Sequence, residues 1–238
     1  MTDTRPARTV FAALVAAVEG DPQRPALVFE GEVLTYAQLH DAVELTARHL
    51  RAKGVAQGSV FAAYSQNRPE LIFCYYAAAR LGAVFVPVNP NLTPSEVAYT
   101  VAHSGAALLL HDDAVADPAH AAATEVALMP IGDLCAPDPG AKPEPPAEVA
   151  PGDDFLIIYT SGTTGTPKAI VLDHAAQVAA PRALAEMWGI GRNDTTLVAL
   201  PLGYLYGLST AAAAGLQAGG RVVILRRFHP RDVLEAMV

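Results

Sequence analysis

The run Phe155-Leu156-Ile157-Ile158-Tyr159-Thr160-Ser161-Gly162-Thr163-Thr164-Gly165-Thr166-Pro167-Lys168-Ala169-Ile170-Val171-Leu172 places two apolar stretches of strand length around a loop of glycine and hydroxyl residues. From Tyr159 to Lys168 the loop carries two glycines, five aliphatic hydroxyls and one lysine, and no acidic residue lies between Asp154 and Asp173. Glycine lets a loop turn tightly and point backbone N–H groups at an anion, hydroxyls add donors, and lysine adds a point charge. This combination suits a polyphosphate, with a nucleotide as the natural ligand. It is not a Walker A loop, which needs Gly-x-x-x-x-Gly-Lys-Ser/Thr opening directly into a helix. Here Pro167 and the β-branched pair Ile170-Val171 favour a second strand after Lys168. A Ser/Thr/Gly linker has similar composition, but such linkers do not usually sit between two apolar strands.

Outward from this segment, strand-length apolar runs alternate with helical periodicity, the pattern of an α/β protein with mainly parallel strands. The strands expected are Ala26–Glu30, Ser59–Tyr64, Ala83–Val88, Ala106–Leu110, Glu125–Pro130, Asp154–Thr160, Ala169–Leu172, Thr195–Leu200 and Arg221–Leu225. Thr35 with Gln38, and Thr93-Pro94 with Glu96, have the spacing of capping boxes, and Asp173 is placed to cap the helix that follows. Prolines crowd Ala136–Gly152, so we read residues 136–152 as a connection between a first α/β subdomain (1–135) and a second (153–238) that bears the loop. The expected fold is therefore two doubly wound subdomains with mainly parallel sheets. Pro230–Val238 begins an amphipathic helix with Val233, Leu234 and Met237 on one face and stops without a glycine cap or polar tail, so the second subdomain is expected to be truncated.

The 238 residues are 52% hydrophobic and 17% charged, enough to bury one large core or two modest ones. A net charge of −8 with sixteen scattered basic residues gives no electrostatic footprint for nucleic acid or an anionic membrane surface. Cys74 and Cys135 stand far apart, which suggests neither zinc nor a disulfide framework, and Cys74 lies in an apolar helix that reads as core. A reducing, cytoplasmic setting is expected, because the start of the chain lacks the apolar stretch of a signal peptide and no apolar run is long enough to span a bilayer. The Ala-rich Thr210–Ala218 reads as a small-residue helix packed inside. His49, His103, His111, His120, His174 and His229 are spread without metal-ligand spacing and read as surface or helix-end residues, so no protein metal site is expected.

Tyr159–Lys168 is similar to the phosphate-loop signature of the adenylate-forming (AMP-binding) superfamily. Two further stretches agree with it. Asn67-Arg68-Pro69-Glu70, Arg80-Leu81-Gly82-Ala83 and Val86-Pro87-Val88-Asn89-Pro90 resemble the acyl-CoA synthetase branch. Pro201-Leu202-Gly203-Tyr204-Leu205-Tyr206-Gly207-Leu208 resembles a segment that usually reads Pro-Leu-Phe-His and ends in glycine. In the latter, Gly203 replaces the usual aromatic and Tyr204 the frequent histidine that lies beside the reacting carboxylate. Gly203 either leaves space in the acyl pocket or frees the loop. Tyrosine donates a hydrogen bond while remaining neutral, unlike a histidine that can carry charge.

The resemblance implies an ATP-dependent acid–CoA ligase, a small-molecule carboxylic acid as substrate, and ATP, Mg2+ and coenzyme A as cofactors. It assigns Thr160, Ser161, Gly162, Thr163, Thr164, Gly165 and Lys168 to the phosphates and Tyr204 to the carboxylate. The segments that hold adenine, ribose and magnesium in the family, and its catalytic lysine, are not found before Val238, so this chain alone is expected to be incomplete and inactive. Two alternatives stay open: an acyl-AMP ligase that delivers to a carrier-protein thiol, and a non-catalytic module that binds nucleotide or a partner.

Overall fold

The computed structural model describes residues 7–122, 126–137, 144–160 and 167–237. Helix α1 (Val10–Gly20) leads into a hairpin of β1 (Pro25–Phe29) and β2 (Glu32–Thr35). Then come α2 (Tyr36–Ala52), β3 (Val60–Tyr64), α3 (Pro69–Leu81), β4 (Val84–Val88), α4 (Pro94–Ser104), β5 (Leu108–His111), α5 (Ala116–Ala122) and β6 (Ala127–Pro130). Past the proline-rich connection lie β7 (Asp154–Thr160), β8 (Lys168–Asp173), α6 (His174–Trp188) and β9 (Thr195–Val198). A widened helical segment, Tyr206–Ala212, runs into α7 (Ala213–Gln217), and β10 (Arg221–Ile224) and α8 (Pro230–Ala236) follow.

The strands form two sheets, one in the order β6-β5-β3-β4-β7-β8 and one in the order β2-β1-β10-β9. All pairs are parallel except the hairpins β1–β2 and β7–β8. The expected α/β class with two sheets rich in parallel strands is thus present. Strand pairing crosses the 136–152 connection in both directions, because β7 joins β4 and β10 joins β1.

Side chains alternate across each strand, so one sheet feeds two cores. Phe61, Ala63, Phe85, Leu108 and Leu110 face the larger core, which continues through α1, α2, α3 and the four-stranded sheet. Ala62, Tyr64, Val84, Val86 and Leu109 face the opposite way onto Val97 and Val101 of α4 and Ala119 of α5. Helices on both faces make this a doubly wound arrangement. Cys74 is fully buried in α3, and Ala212, Ala213 and Ala214 are buried in the Ala-rich segment.

The helix starts follow the side-chain chemistry read from the sequence. The Thr35 hydroxyl accepts from the Gln38 N–H (3.2 Å) while the Gln38 side chain accepts from the Thr35 N–H (2.9 Å). Thr93 and Glu96 make the same reciprocal pair, and Asp173 caps α6 by accepting from the Ala176 N–H at 2.7 Å. Among the described residues no helix is long and apolar enough to cross a membrane.

Two expectations need correction. The strand β2 had no place in the sequence reading, which ran a strand to Glu30 and began a helix after Thr35. Glu30 (φ 49°) and Gly31 (φ 86°) instead form a two-residue turn with both central residues in the left-handed region, the geometry that matches strand twist in a hairpin. The second correction concerns His111, which ends a strand and is buried; His174 does stand at a helix start as expected, and it too is buried. The His174 ring stacks on Phe155 at 4.7 Å, and its Nδ1 accepts from the Val10 N–H at 3.4 Å, so a residue at a helix start is covered by α1. Burial lowers the His174 pKa from its ordinary value, with Asp153 and Asp173 opposing the shift.

Candidate functional site: the cleft at the β7–β8 turn

The antiparallel pairing of β7 and β8 sets Thr160 opposite Lys168 and Tyr159 opposite Ala169. The second strand expected after Lys168 is therefore present, and the loop joins two neighbouring strand ends. Of the seven residues assigned to phosphate, Thr160 and Lys168 are described, and both are exposed. Ser161, Gly162, Thr163, Thr164 and Gly165 lie outside the described residues. The two stems are braced by α4. The Tyr159 hydroxyl and His103 Nδ1 are 2.8 Å apart, and the Tyr99 hydroxyl donates to the Pro167 carbonyl at 3.5 Å. Tyr99 stacks on His103 with ring centres 5.2 Å apart. Burial raises the Tyr159 pKa, and the neighbouring Tyr99 adds to the shift, so this hydroxyl is neutral at physiological pH.

The stretch Leu200–Tyr204 approaches the same place from the other sheet. Asn67, buried in the turn after β3, holds it with a fully used amide. Its Nδ2 donates to the carbonyls of Leu200 and Leu225, each at 2.9 Å, and its Oδ1 accepts from the Leu202 N–H at 2.7 Å. One side chain thereby ties the end of β3 to the ends of β9 and β10, joining the two sheets. Gly203 lies hard against the end of β4. A Cβ there would stand 2.7 Å from Asn89 Cα and 2.8 Å from both Asn89 N and the Val88 carbonyl oxygen. Both earlier readings of Gly203 give way to this contact. The space a side chain would take at 203 is filled by backbone, so glycine is needed for the approach.

That approach brings Tyr204 to Asn89, whose Nδ2 donates to the tyrosine hydroxyl. Asn89 Oδ1 in turn accepts from the Asn91 N–H at 3.1 Å. Asn89, Leu92, Tyr159, Thr160, Pro167 and Tyr204 line one cleft, with Gly203 at its wall. Glu96 stands at its edge, its pKa lowered chiefly by the hydrogen bond from the Thr93 N–H and also by that from the Thr93 hydroxyl. Tyr206 is not among the lining residues; both tyrosines are exposed, Tyr204 by 43% and Tyr206 by 52%. The arrangement offers hydroxyl donors and one lysine at the loop stems and a further hydroxyl at Tyr204, which suits an anion with a second polar group beside it.

Asn67, Asn89, Tyr99 and His103 had no assigned role in the sequence reading. Asn67 and Asn89 lie in the stretches that resemble the acyl-CoA synthetase branch, but resemblance gives no hydrogen-bond direction. Tyr99 and His103 sit four apart on one helix face, a spacing that ordinary packing also produces.

The family model for AMP-binding enzymes matches residues 14–238. The chain is 34% identical over 218 residues to a feruloyl-CoA synthase of Amycolatopsis sp, covering 91% of this chain and 44% of that protein. It is 33% identical over 230 residues to the fatty acid–[acyl-carrier-protein] ligase ScoC of Streptomyces coeruleorubidus, covering 90% of this chain and 43% of that one. The fold superimposes on the ATP-bound crystal structure of MatB from Rhodopseudomonas palustris with a TM-score of 0.88 at 26% identity, over 98% of this chain and 48% of that one. The chain thus spans less than half the length of these proteins. With loop composition, two-sheet fold and sequence similarity in agreement across nearly its whole length, the chain belongs to the AMP-binding enzyme family.

Proposed function

We propose that this chain supplies the phosphate loop and the carboxylate-positioning residue of an ATP-dependent acid–CoA ligase acting on a small-molecule carboxylic acid in the cytoplasm. A carboxylate is a poor acyl donor because its leaving group would be oxide. In the proposed reaction a carboxylate oxygen attacks the α-phosphorus of ATP and pyrophosphate departs. The coenzyme A thiol then attacks the acyl carbonyl carbon, and AMP leaves with the electron pair of the broken C–O bond. Negative charge grows on the phosphates during the first step, and fixed donors aimed there lower its barrier. Thr160, Ser161, Gly162, Thr163, Thr164, Gly165 and Lys168 take the β- and γ-phosphates, and Tyr204 donates to the carboxylate. Mg2+ would accompany ATP as a charge screen. Among the described residues no three His, Cys, Asp or Glu side chains stand together as ligands, so none is assigned to it.

The observation that supports this reading is that both described ends of the loop, Thr160 and Pro167, share one cleft with Tyr204. A second reading, with a carrier-protein thiol as acceptor, is favoured by the similarity to ScoC. The measurement is acid-dependent exchange of pyrophosphate into ATP by the protein as encoded by its gene. Lys168→Ala is expected to slow exchange by roughly 100- to 1,000-fold, the loss typical of a donor to developing charge. Tyr204→Phe keeps the ring and removes a hydrogen bond to a charged group, at a cost of about 1.5–3 kcal/mol. Unchanged exchange in both variants would refute the assignment. AMP release on adding coenzyme A, set against release on adding a holo-carrier protein, separates the two acceptors.

A further inference from the structure

We infer that Asn89 is a positioning residue that fixes the hydrogen-bond direction at Tyr204, so that the tyrosine proton is presented to the cleft and an ionised acid is selected. The inference rests on Tyr204 being the carboxylate-positioning group. The argument begins with a backbone N–H, which can only donate. The Asn91 N–H points at one end of the Asn89 amide at 3.1 Å, so that end is the oxygen. The other end is then the NH2 group, and it faces the Tyr204 hydroxyl. A side-chain amide cannot be turned over here without setting two donors against each other.

A phenol has one proton. Because the Tyr204 oxygen accepts from Asn89, its own proton is directed elsewhere; among the described residues no hydrogen bond takes it up, and the residue is exposed at the cleft. The hydroxyl stands in the cleft with Thr160 and Pro167, where the phosphate-loop stems meet it. Each hydrogen bond in the series Asn91 N–H to Asn89 to Tyr204 polarises the next, so the tyrosine becomes a better donor than an isolated phenol. A deprotonated acid has two acceptor oxygens for such a donor; a neutral amide or ester analogue offers one weaker acceptor. The series depends on close approach, which Gly203 permits because any Cβ there would strike the Asn89 backbone.

The test is pyrophosphate exchange by the protein as encoded by its gene, with KM measured separately for acid and for ATP. Asn89→Ala is expected to raise the acid KM about three- to tenfold, the worth of one ordinary hydrogen bond, with the ATP KM unchanged. Asn89→Asp is nearly isosteric and can still accept from the Asn91 N–H. It would also accept the Tyr204 proton and reverse the direction, so its acid KM should rise further than that of the alanine variant. In a Tyr204→Phe background either substitution should change the acid KM by less than about twofold, since both act through the same hydroxyl. Equal thermal midpoints for Asn89→Asp and the parent protein would show that the losses are not unfolding. If Tyr204→Phe raises the acid KM while both Asn89 variants leave it unchanged, or if the losses add, the inference fails and the tyrosine assignment survives. If Tyr204→Phe itself has no effect, the assignment fails first and the inference with it.

Discussion

Helices α3 and α8 begin alike and end in opposite surroundings. Each opens with proline in the first turn after a strand and a short loop, and each has an acidic residue near its start, Glu70 in one and Asp232 in the other. Every residue of α3 after Pro69 is buried, including Glu70 and Arg80, whereas α8 buries none of its residues. The first packs against α1, α2 and β4. Its charges are taken up locally, Arg80 by Glu44 and Glu70 by Arg68 at 2.6 Å. The second leaves Leu234 and Met237 about two-thirds exposed. Periodicity and caps say where a helix starts and which side is apolar. They do not say how many neighbours it meets, and that number decides its weight in stability.

The largest expected effect follows from this difference. Leu71→Ala in α3 removes fully buried methyl groups from a closed core and should cost about 2–5 kcal/mol in urea unfolding. Leu234→Ala in α8 should cost less than about 0.5 kcal/mol. Similar costs for both would break the comparison and show that the α8 face is covered in solution.

Asn67 sharpens the point, because it belongs to no helix and yet joins both sheets. Asn67→Ala would leave the buried Leu202 N–H and two partly buried carbonyls without their partner, for a loss of about 1–3 kcal/mol. Exchange activity should fall with it, since the same amide holds the Leu200–Tyr204 stretch. A variant as stable as the parent protein would show that water replaces the amide without strain.

His174 yields a smaller effect with a definite sign. Its pKa is lowered in the fold by burial, so the folded chain holds a neutral ring. As pH falls below the ordinary value of 6.5, the unfolded chain binds a proton that the folded chain does not, and stability declines until the lowered folded value is passed. Protonation of Nδ1 would also set a proton against the Val10 N–H that now donates to it. His174→Phe keeps a ring over Phe155 and should flatten the decline of the urea midpoint between about pH 6.5 and 5, relative to the parent protein. Parallel slopes in the two proteins would place the acid sensitivity elsewhere.

The six-stranded sheet and its helices were largely legible because local signals agreed there. Buried parallel strands read as continuous apolar runs, and Thr35, Thr93 and Asp173 mark helix starts by chemistry that needs no distant partner. The hairpin at Glu30-Gly31 was not legible, since that pair carries less of a turn signal than Asn-Gly or Asp-Gly. The pairing of β1 with β10 was also hidden, because a strand's sequence records its faces and not its neighbour. At the candidate site, Thr160, Lys168 and Tyr204 could be picked out by motif. The roles of Asn67, Asn89 and Gly203 could not, because each depends on a contact with backbone or a side chain far along the chain. The burial of His174 at the start of α6 was not legible for the same reason: Val10 of α1, which donates to it, comes 164 residues earlier.

The β1–β10 pairing also sets a timetable. The Tyr36 hydroxyl that locks the start of α2 donates to the carbonyl of Leu216, 180 residues later. A ribosome adding about 5–20 residues per second needs roughly ten to forty seconds to make that partner. During that time β3 to β8 can emerge and pair among themselves, while the β1–β2 hairpin has no sheet to join, and a lone hairpin is marginal in water. Leu27, fully covered in the finished fold, therefore lacks its neighbour across the sheet until Val222 has been made. A chaperone that shields nascent apolar segments would find one in the β1–β2 hairpin until β10 has been made.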